Sequence, residues 1–294
     1  MGKKLLKFLV YFTGFLVILA VAGHLWFMYR AKDLLENMVE KRSGGKLTLT
    51  IDRLRYNYFT RNMTIRGASF FTSDTLRLNT EYRFTVPEIR VRLKALSPLL
   101  LEDKLFIDSM SLRSPDIRVT RLRYSENPVK EVKDVSIPYE MGEIYRSIQE
   151  VLQELEVKKF RISEGHFTLH NKAAPRQVPV KISDINLLIE NLKVDPGVLS
   201  GEEKILFSDN ISLHCSNQQI LFPGGRHSLS FKGFRINLQN QLVEFDSCSI
   251  AGTKADSSDA AFSIFFDKLK MSNVDFDTLY RHEIIKADTV FCLN

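Results

Sequence analysis

The chain has 294 residues, 44% of them apolar and 26% charged, so it can bury a sizeable core and is too apolar for global disorder. A formal net charge of +6 suits anionic headgroups as readily as nucleic acid and selects neither. Three widely spaced cysteines (Cys215, Cys248, Cys292) exclude a disulfide framework and a zinc-ligand spacing; they read as small buried hydrophobes, with a Cys215–Cys248 pair left open for an oxidising compartment.

Residues 8–28 read FLVYFTGFLVILAVAGHLWFM and contain no Asp, Glu, Lys or Arg. A helix of that length spans roughly 32 Å, close to the hydrocarbon thickness of a bilayer. Lys3, Lys4 and Lys7 precede the run and Arg30 follows it, while Trp26 and Tyr29 occupy the place of an interfacial aromatic belt. These residues are the expected membrane interface. The charge bias sets the N-terminus in the cytoplasm and the bulk of the chain across the membrane. Ala20-Val21-Ala22 offers a cleaved signal peptide as the competing reading, but the apolar run continues past it through His24 to Met28. Retention is the stronger expectation.

Residues 31–42 (AKDLLENMVEKR) follow as a short amphipathic helix with Leu34, Leu35, Met38 and Val39 on one side. Ser43-Gly44-Gly45 ends it, since glycine adopts the left-handed conformation that closes a helix. The period then changes from helical to alternating. Leu47, Leu49 and Ile51 face one way and Thr48 and Thr50 the other, the mark of a half-buried strand. The alternation returns at Ile89-Val91-Leu93, Ile117-Val119, Phe167-Leu169, Val178-Val180-Ile182, Leu229-Phe231, Val243-Phe245 and Phe262-Ile264-Phe266. The use of 21 phenylalanines supports the same β reading.

A second pattern, apolar-x-x-apolar-x-apolar, recurs at Ile51/Leu54/Tyr56, Val86/Ile89/Val91, Ile107/Met110/Leu112 and Val157/Phe160/Ile162. It continues at Ile182/Ile185/Leu187, Phe231/Phe234/Ile236 and Phe266/Leu269/Met271. The step of three breaks strict alternation by one residue, as a β-bulge does. It predicts a loosely repeated β unit. Between residues 137 and 156 the apolar positions Ile144, Ile148, Leu152 and Leu155 instead recur at helical spacing. The predicted organisation is therefore an anchor over 1–30, a short helix and linker over 31–45, a first β module over 46–136, an amphipathic helix over 137–156 and a second β module over 157–294. The expected fold is mainly β, with repeated antiparallel strands in a curved, groove-like sheet.

Some strands carry a strongly basic face. Arg90, Arg92 and Lys94 alternate with apolar neighbours, as does Arg118. A solvated outer face explains them, and attraction to anionic headgroups is the functional alternative. Aromatic residues are too sparse among them for stacking on bases, so no nucleic acid is expected. Signals for catalysis or metal binding are weak. His166 and His170 would share a metal on a helix, but on the strand that Phe167 and Leu169 predict they stand roughly 13 Å apart. No G-x-S-x-G, H-E-x-x-H or phosphate-binding glycine loop occurs. The chain is expected to be non-enzymatic and without a cofactor.

An apolar sheet face must be covered by another layer or left as a site for apolar ligand, and periodicity does not separate the two. The candidate lining of such a groove is Ile107, Met110, Leu112, Phe160, Ile162, Phe167, Phe231 and Phe234.

The anchor followed directly by β units, together with residues 54–67 (LRYNYFTRNMTIRG), 105–119 (LFIDSMSLRSPDIRV), 151–169 (VLQELEVKKFRISEGHFTL) and 269–276 (LKMSNVDF), resembles the N-terminal part of AsmA-like proteins, the bacterial group of AsmA and TamB. That resemblance implies an inner-membrane anchor and a periplasmic β-groove that carries phospholipid in envelope biogenesis. Expected partners are the bilayer, phospholipid acyl chains and other envelope proteins recruited by strand addition. The envelope-bridging members of that group are longer, which puts long-range transport by this chain in doubt.

Overall fold

The computed structural model describes residues 30–72 apart from 31, 34, 38, 42, 46 and 58; 80–95, 98, 102 and 104–122; 154–172; 179–194; 208–221; and 226–294 apart from 254–259 and 283. Twelve strands lie in these stretches: β1 (Leu47–Asn57), β2 (Asn62–Thr72), β3 (Thr80–Leu93), β4 (Lys104–Arg113), β5 (Asp116–Arg121) and β6 (Glu154–Asn171) in the first half. The second half holds β7 (Val180–Val194), β8 (Asn210–Leu221), β9 (His227–Asn237), β10 (Leu242–Thr253), β11 (Ala260–Val274) and β12 (Ala287–Leu293). A short helix, Phe276–His282, links the last two strands, and the described residues between 30 and 41 are helical.

All twelve strands form one sheet in the order β1-β2-β3-β4-β6-β7-β8-β9-β10-β11-β12, with β5 paired to β3 and β6. β4 and β5 act as one strand bent at Ser114-Pro115, since both sit between β3 and β6. The expectation of purely antiparallel pairing needs a correction here: β6 runs parallel to β4 and β5, and every other pairing is antiparallel. A parallel neighbour requires a long crossover. The chain from 122 to 154 supplies it, and most of the helix expected at 137–156 falls in that stretch, outside the described residues. Its last three positions, Glu154 to Glu156, open β6. The segment 8–28 and its flanks Lys3, Lys4, Lys7, Trp26 and Tyr29 also lie outside the described residues, while Arg30 is exposed at the start of the first helical stretch. Among the described residues no helix is long and apolar enough to cross a membrane.

Six strand positions share a backbone feature that breaks the alternation. Gly67, Ser114, Glu164, Asp184, Asn217 and Ser247 have positive φ, between 47° and 61°. Each is the second of two residues between inner-face positions three apart, as in Ile65/Ala68, Ile162/Gly165 and Cys215/Gln218; of the steps read from the sequence, Ile182/Ile185 contains such a residue, Asp184, and the other six do not. A left-handed residue there leaves two successive side chains on the outer face and returns the next to the inner one. Gly, Asn and Asp adopt that conformation most readily, and half of these positions use them. Adjacent strands break at matching or nearly matching levels, so the inner-face rows stay aligned across the sheet.

Candidate functional site

One row shows the result. Leu54, Ile65, Ile89, Leu112, Ile162, Leu187, Leu213, Ile236, Val243, Met271 and Val290 are successive cross-strand partners from β1 to β12. Every member is aliphatic. A neighbouring row, Tyr56, Met63, Val91, Met110, Phe160, Ile189 and Ile211, runs beside it through β1–β8. Residues paired across strands point to the same side. The sheet therefore has one predominantly apolar face, and among the described residues no second sheet lies over it.

Six of the eight predicted lining residues meet on this face. Met110 pairs with Phe160, Leu112 with Ile162 and Ile117 with Phe167, while Ile107 pairs with Val157 beside them. Phe231 and Phe234 share the face three strands away, on β9. They form a ring cluster with Phe245, with centroids 4.6 Å apart for Phe234–Phe245 and 5.5 Å for Phe231–Phe245. Tilted and edge-on pairs of this kind contribute about 1 kcal/mol each beyond their burial. Ile107, Leu112 and Phe231 are buried, whereas Met110, Phe160, Ile162, Phe167 and Phe234 keep part of their surface free. The second group is the part that can touch a ligand.

Covering is uneven along the sheet. Ile51, Val86, Val91, Leu93 and Val157 belong to one large buried cluster spanning β1–β7, to which Leu35 of the first helical stretch adds. Two smaller clusters, around Phe231 and around Val274 and Phe276, serve β7–β12. Cys215 and Cys248 are free thiols buried in the first of these, as the small-hydrophobe reading expects. Burial, with a smaller contribution from the Asp184 charge, pushes the Cys215 thiol up to about 11.

Gln218 interrupts the apolar face and was not legible in the sequence. It is 5% exposed, with all of its polar capacity engaged locally. Its Nε2 donates to the Ser183 carbonyl (2.6 Å) and the Ser216 carbonyl (2.5 Å), and its Oε1 accepts from the Ser183 N–H at 2.9 Å. The amide thus stitches together the two strands where both depart from regular pairing.

On the opposite face, His214, Ser216 and Asp184 come together beside it. His214 Nδ1 lies 3.1 Å from the Phe234 carbonyl, and its Nε2 lies 3.2 Å from the Ser216 hydroxyl. Hydrogen bonds from Ser216 and Asn186 hold the Asp184 carboxyl below its ordinary value. Here the carboxylate meets the serine and not the histidine. The order in which a carboxylate orients a histidine base toward a serine nucleophile is not met by these three groups. His166 and His170 both lie on β6, four strand positions apart.

No protein-family model matches the chain, and no curated protein matches it.

Proposed function

We propose that the chain is a membrane-anchored, non-enzymatic β-sheet protein of the AsmA-like kind that holds phospholipid acyl chains on its apolar face. The observation carrying this reading is the unbroken apolar row from Leu54 through half-buried Ile162 to Val290, with half-buried Met110, Phe160 and Phe167 beside it. Much of the β1–β4 part of the row is buried, and the side chains of the face that stay partly free, Phe160 and Ile162 among them, are the apolar surface that a ligand can cover. The lysine-flanked apolar segment at 8–28 places the sheet next to a bilayer, the source of such ligands. In this reading the sheet curves into a groove, the anchor sits in the inner membrane, and the protein serves phospholipid handling in envelope biogenesis. Mass spectrometry of the full chain, purified in detergent and washed free of bulk lipid, should detect co-purifying phospholipid. Phe160→Asp with Ile162→Asp should lose it; equal lipid in both proteins would sink the proposal.

The last strand favours a second reading, an envelope scaffold that recruits partners by strand addition. β12 is an edge strand, with Val290, Phe291 and Leu293 about half exposed. The other edge is shielded: the Ile51 N–H of β1 donates to the Glu36 carboxylate at 2.7 Å. Bare apolar edges are templates for pairing. Val290→Lys with Phe291→Lys should release protein partners in pull-downs and leave lipid content intact; retention of every partner would dismiss this reading.

A further inference from the structure

The face opposite the apolar rows is not uniformly polar. Arg53 and Arg55 of β1, Arg66 of β2, Arg90 and Arg92 of β3, Arg113 of β4 and Arg161 of β6 all project from it and are all exposed. Their register makes them one field. Arg55, Thr64, Arg90, Ser111 and Arg161 are successive cross-strand partners, and so are Arg53, Arg66, Glu88 and Arg113 in the next row. Rows lie roughly 7 Å apart and strands about 4.8 Å apart, so each guanidinium has others within reach of one phosphate-bearing surface.

The arrangement works against folding. Arg53 stands directly across from Arg66, a like-charge pairing that destabilises a sheet. Glu88 offsets part of this by pairing with Arg66 at 3.6 Å and Arg90 at 2.5 Å, and the Asp52 carboxylate lies against Gly67. Arg53, Arg55, Arg113 and Arg161 make no ion pair among the described residues. Two shallow recesses open on this face. One is lined by Arg53, Arg55, Thr64 and Arg66, the other by Arg90, Arg92, Asn62, Ser109 and Ser111, with Met63 and Val91 at its floor. Guanidinium forks beside hydroxyl and amide groups suit phosphate oxygens, which they can bind in pairs.

We infer that this arginine face docks onto the headgroups of an anionic phospholipid bilayer. Charge complementarity identifies an anionic partner, and the composition between the arginines identifies its class. Thr64, Ser109 and Ser111 lie there, and the apolar residues that line the second recess, Met63 and Val91, belong to the row on the other face and offer no protruding anchor for a protein interface. A nucleic acid would call for stacking aromatics or an element that enters a groove, and this stretch of sheet presents neither. The inference is independent of what the apolar face binds. It gives the two faces different tasks.

The test uses the full chain held in phosphatidylcholine nanodiscs and immobilised through a C-terminal tag, so that residues 8–28 are occupied and vesicle capture reports the sheet. Fluorescent vesicles of phosphatidylcholine alone, or with one-third phosphatidylglycerol, are then offered. Wild type should capture the phosphatidylglycerol vesicles and release them as salt rises. Each headgroup-facing arginine strengthens attachment roughly fivefold, so Arg55→Gln/Arg113→Gln/Arg161→Gln should weaken capture about a hundredfold. The corresponding lysine triple should keep most of it, and both should melt with wild type. Lys181→Gln/Lys232→Gln/Lys270→Gln removes the same charge from the outer face of β7, β9 and β11 and should capture like wild type. Undiminished capture by the arginine-to-glutamine triple, or an equal loss in the lysine-to-glutamine control, would overturn the inference. So would a wild type that binds polyglutamate but not phosphatidylglycerol, since the face would then be a protein site.

Discussion

The two ends of the sheet solve the same problem differently. Around β1–β6 the apolar face carries the large cluster, the outer face is arginine-rich, and the edge strand is guarded by Glu36. Around β9–β12 the clusters are small, apolar side chains on β11 and β12 remain half exposed, and the outer-face charges cancel. There Lys268 contacts the Glu244 carboxylate, and Arg235 lies 3.9 Å from Glu244 and 3.6 Å from Asp246. The contrast teaches that a single strand pattern yields a closed end and an open one, depending on what else meets the strands.

Core truncation should separate the two ends most sharply. Ile51→Ala, at a residue 2% exposed, should lower unfolding free energy by about 3 kcal/mol in denaturant titration. Val290→Ala, at a residue 57% exposed, should cost less than about 0.5 kcal/mol. Equal costs would erase the distinction between closed and open ends.

Backbone strain gives the next largest effect. Gly67 has φ +61°, and a Cβ there would stand 1.9 Å from Asp52 Oδ2. Gly67→Ala should therefore cost about 1–3 kcal/mol, since a non-glycine left-handed residue adds to the clash. Adding Asp52→Ala should recover only the part due to contact. Full recovery would show that φ at this bulge is immaterial.

Acid should act on the open end through Glu244. Its hydrogen bond from Lys268 keeps its carboxyl below the ordinary 4.5, despite burial acting the other way. A depressed carboxyl contributes stability above its unfolded value and loses it as pH falls through the folded one. The melting temperature of wild type should thus drop below pH 4.5, and Glu244→Gln should start lower and flatten part of that slope. Superimposable profiles would remove the pair from the account.

Thiol labelling is the smallest test and the simplest. Cys292, exposed on β12, should react with iodoacetamide at pH 8 in the native protein. Cys215 and Cys248 should react only on unfolding, the former because burial holds its thiol near 11 as well as out of reach. Native labelling of all three would mean that the cluster around Phe231 opens readily.

Much of the fold was legible because side-chain period is a property of strands. The alternations at Leu47–Ile51, Ile89–Leu93, Phe167–Leu169 and Val243–Phe245 all fall on strands. The step of three at Ile51/Leu54 or Phe231/Phe234 marks the breaks across the sheet. β2 escaped, because Gly67 interrupts an already weak alternation over Asn62–Thr72. The parallel placement of β6 escaped too: its neighbours are fixed by a crossover and not by its own residues. The arginines were visible one strand at a time, but their convergence needed the register that pairs Arg55 through Thr64 to Arg90.

The central claim, that acyl chains lie on the apolar rows, is tested most directly by a photo-crosslinker walked along β6 in the full chain within phospholipid membranes. Adducts to phospholipid tails should form from positions of Phe160, Ile162 and Phe167, and not from Lys159, Arg161, Ser163, Glu164 or His166. The double gap after Ile162 is the signature of the left-handed Glu164. Adducts spread over both faces, or absent from all eight positions, would contradict the account.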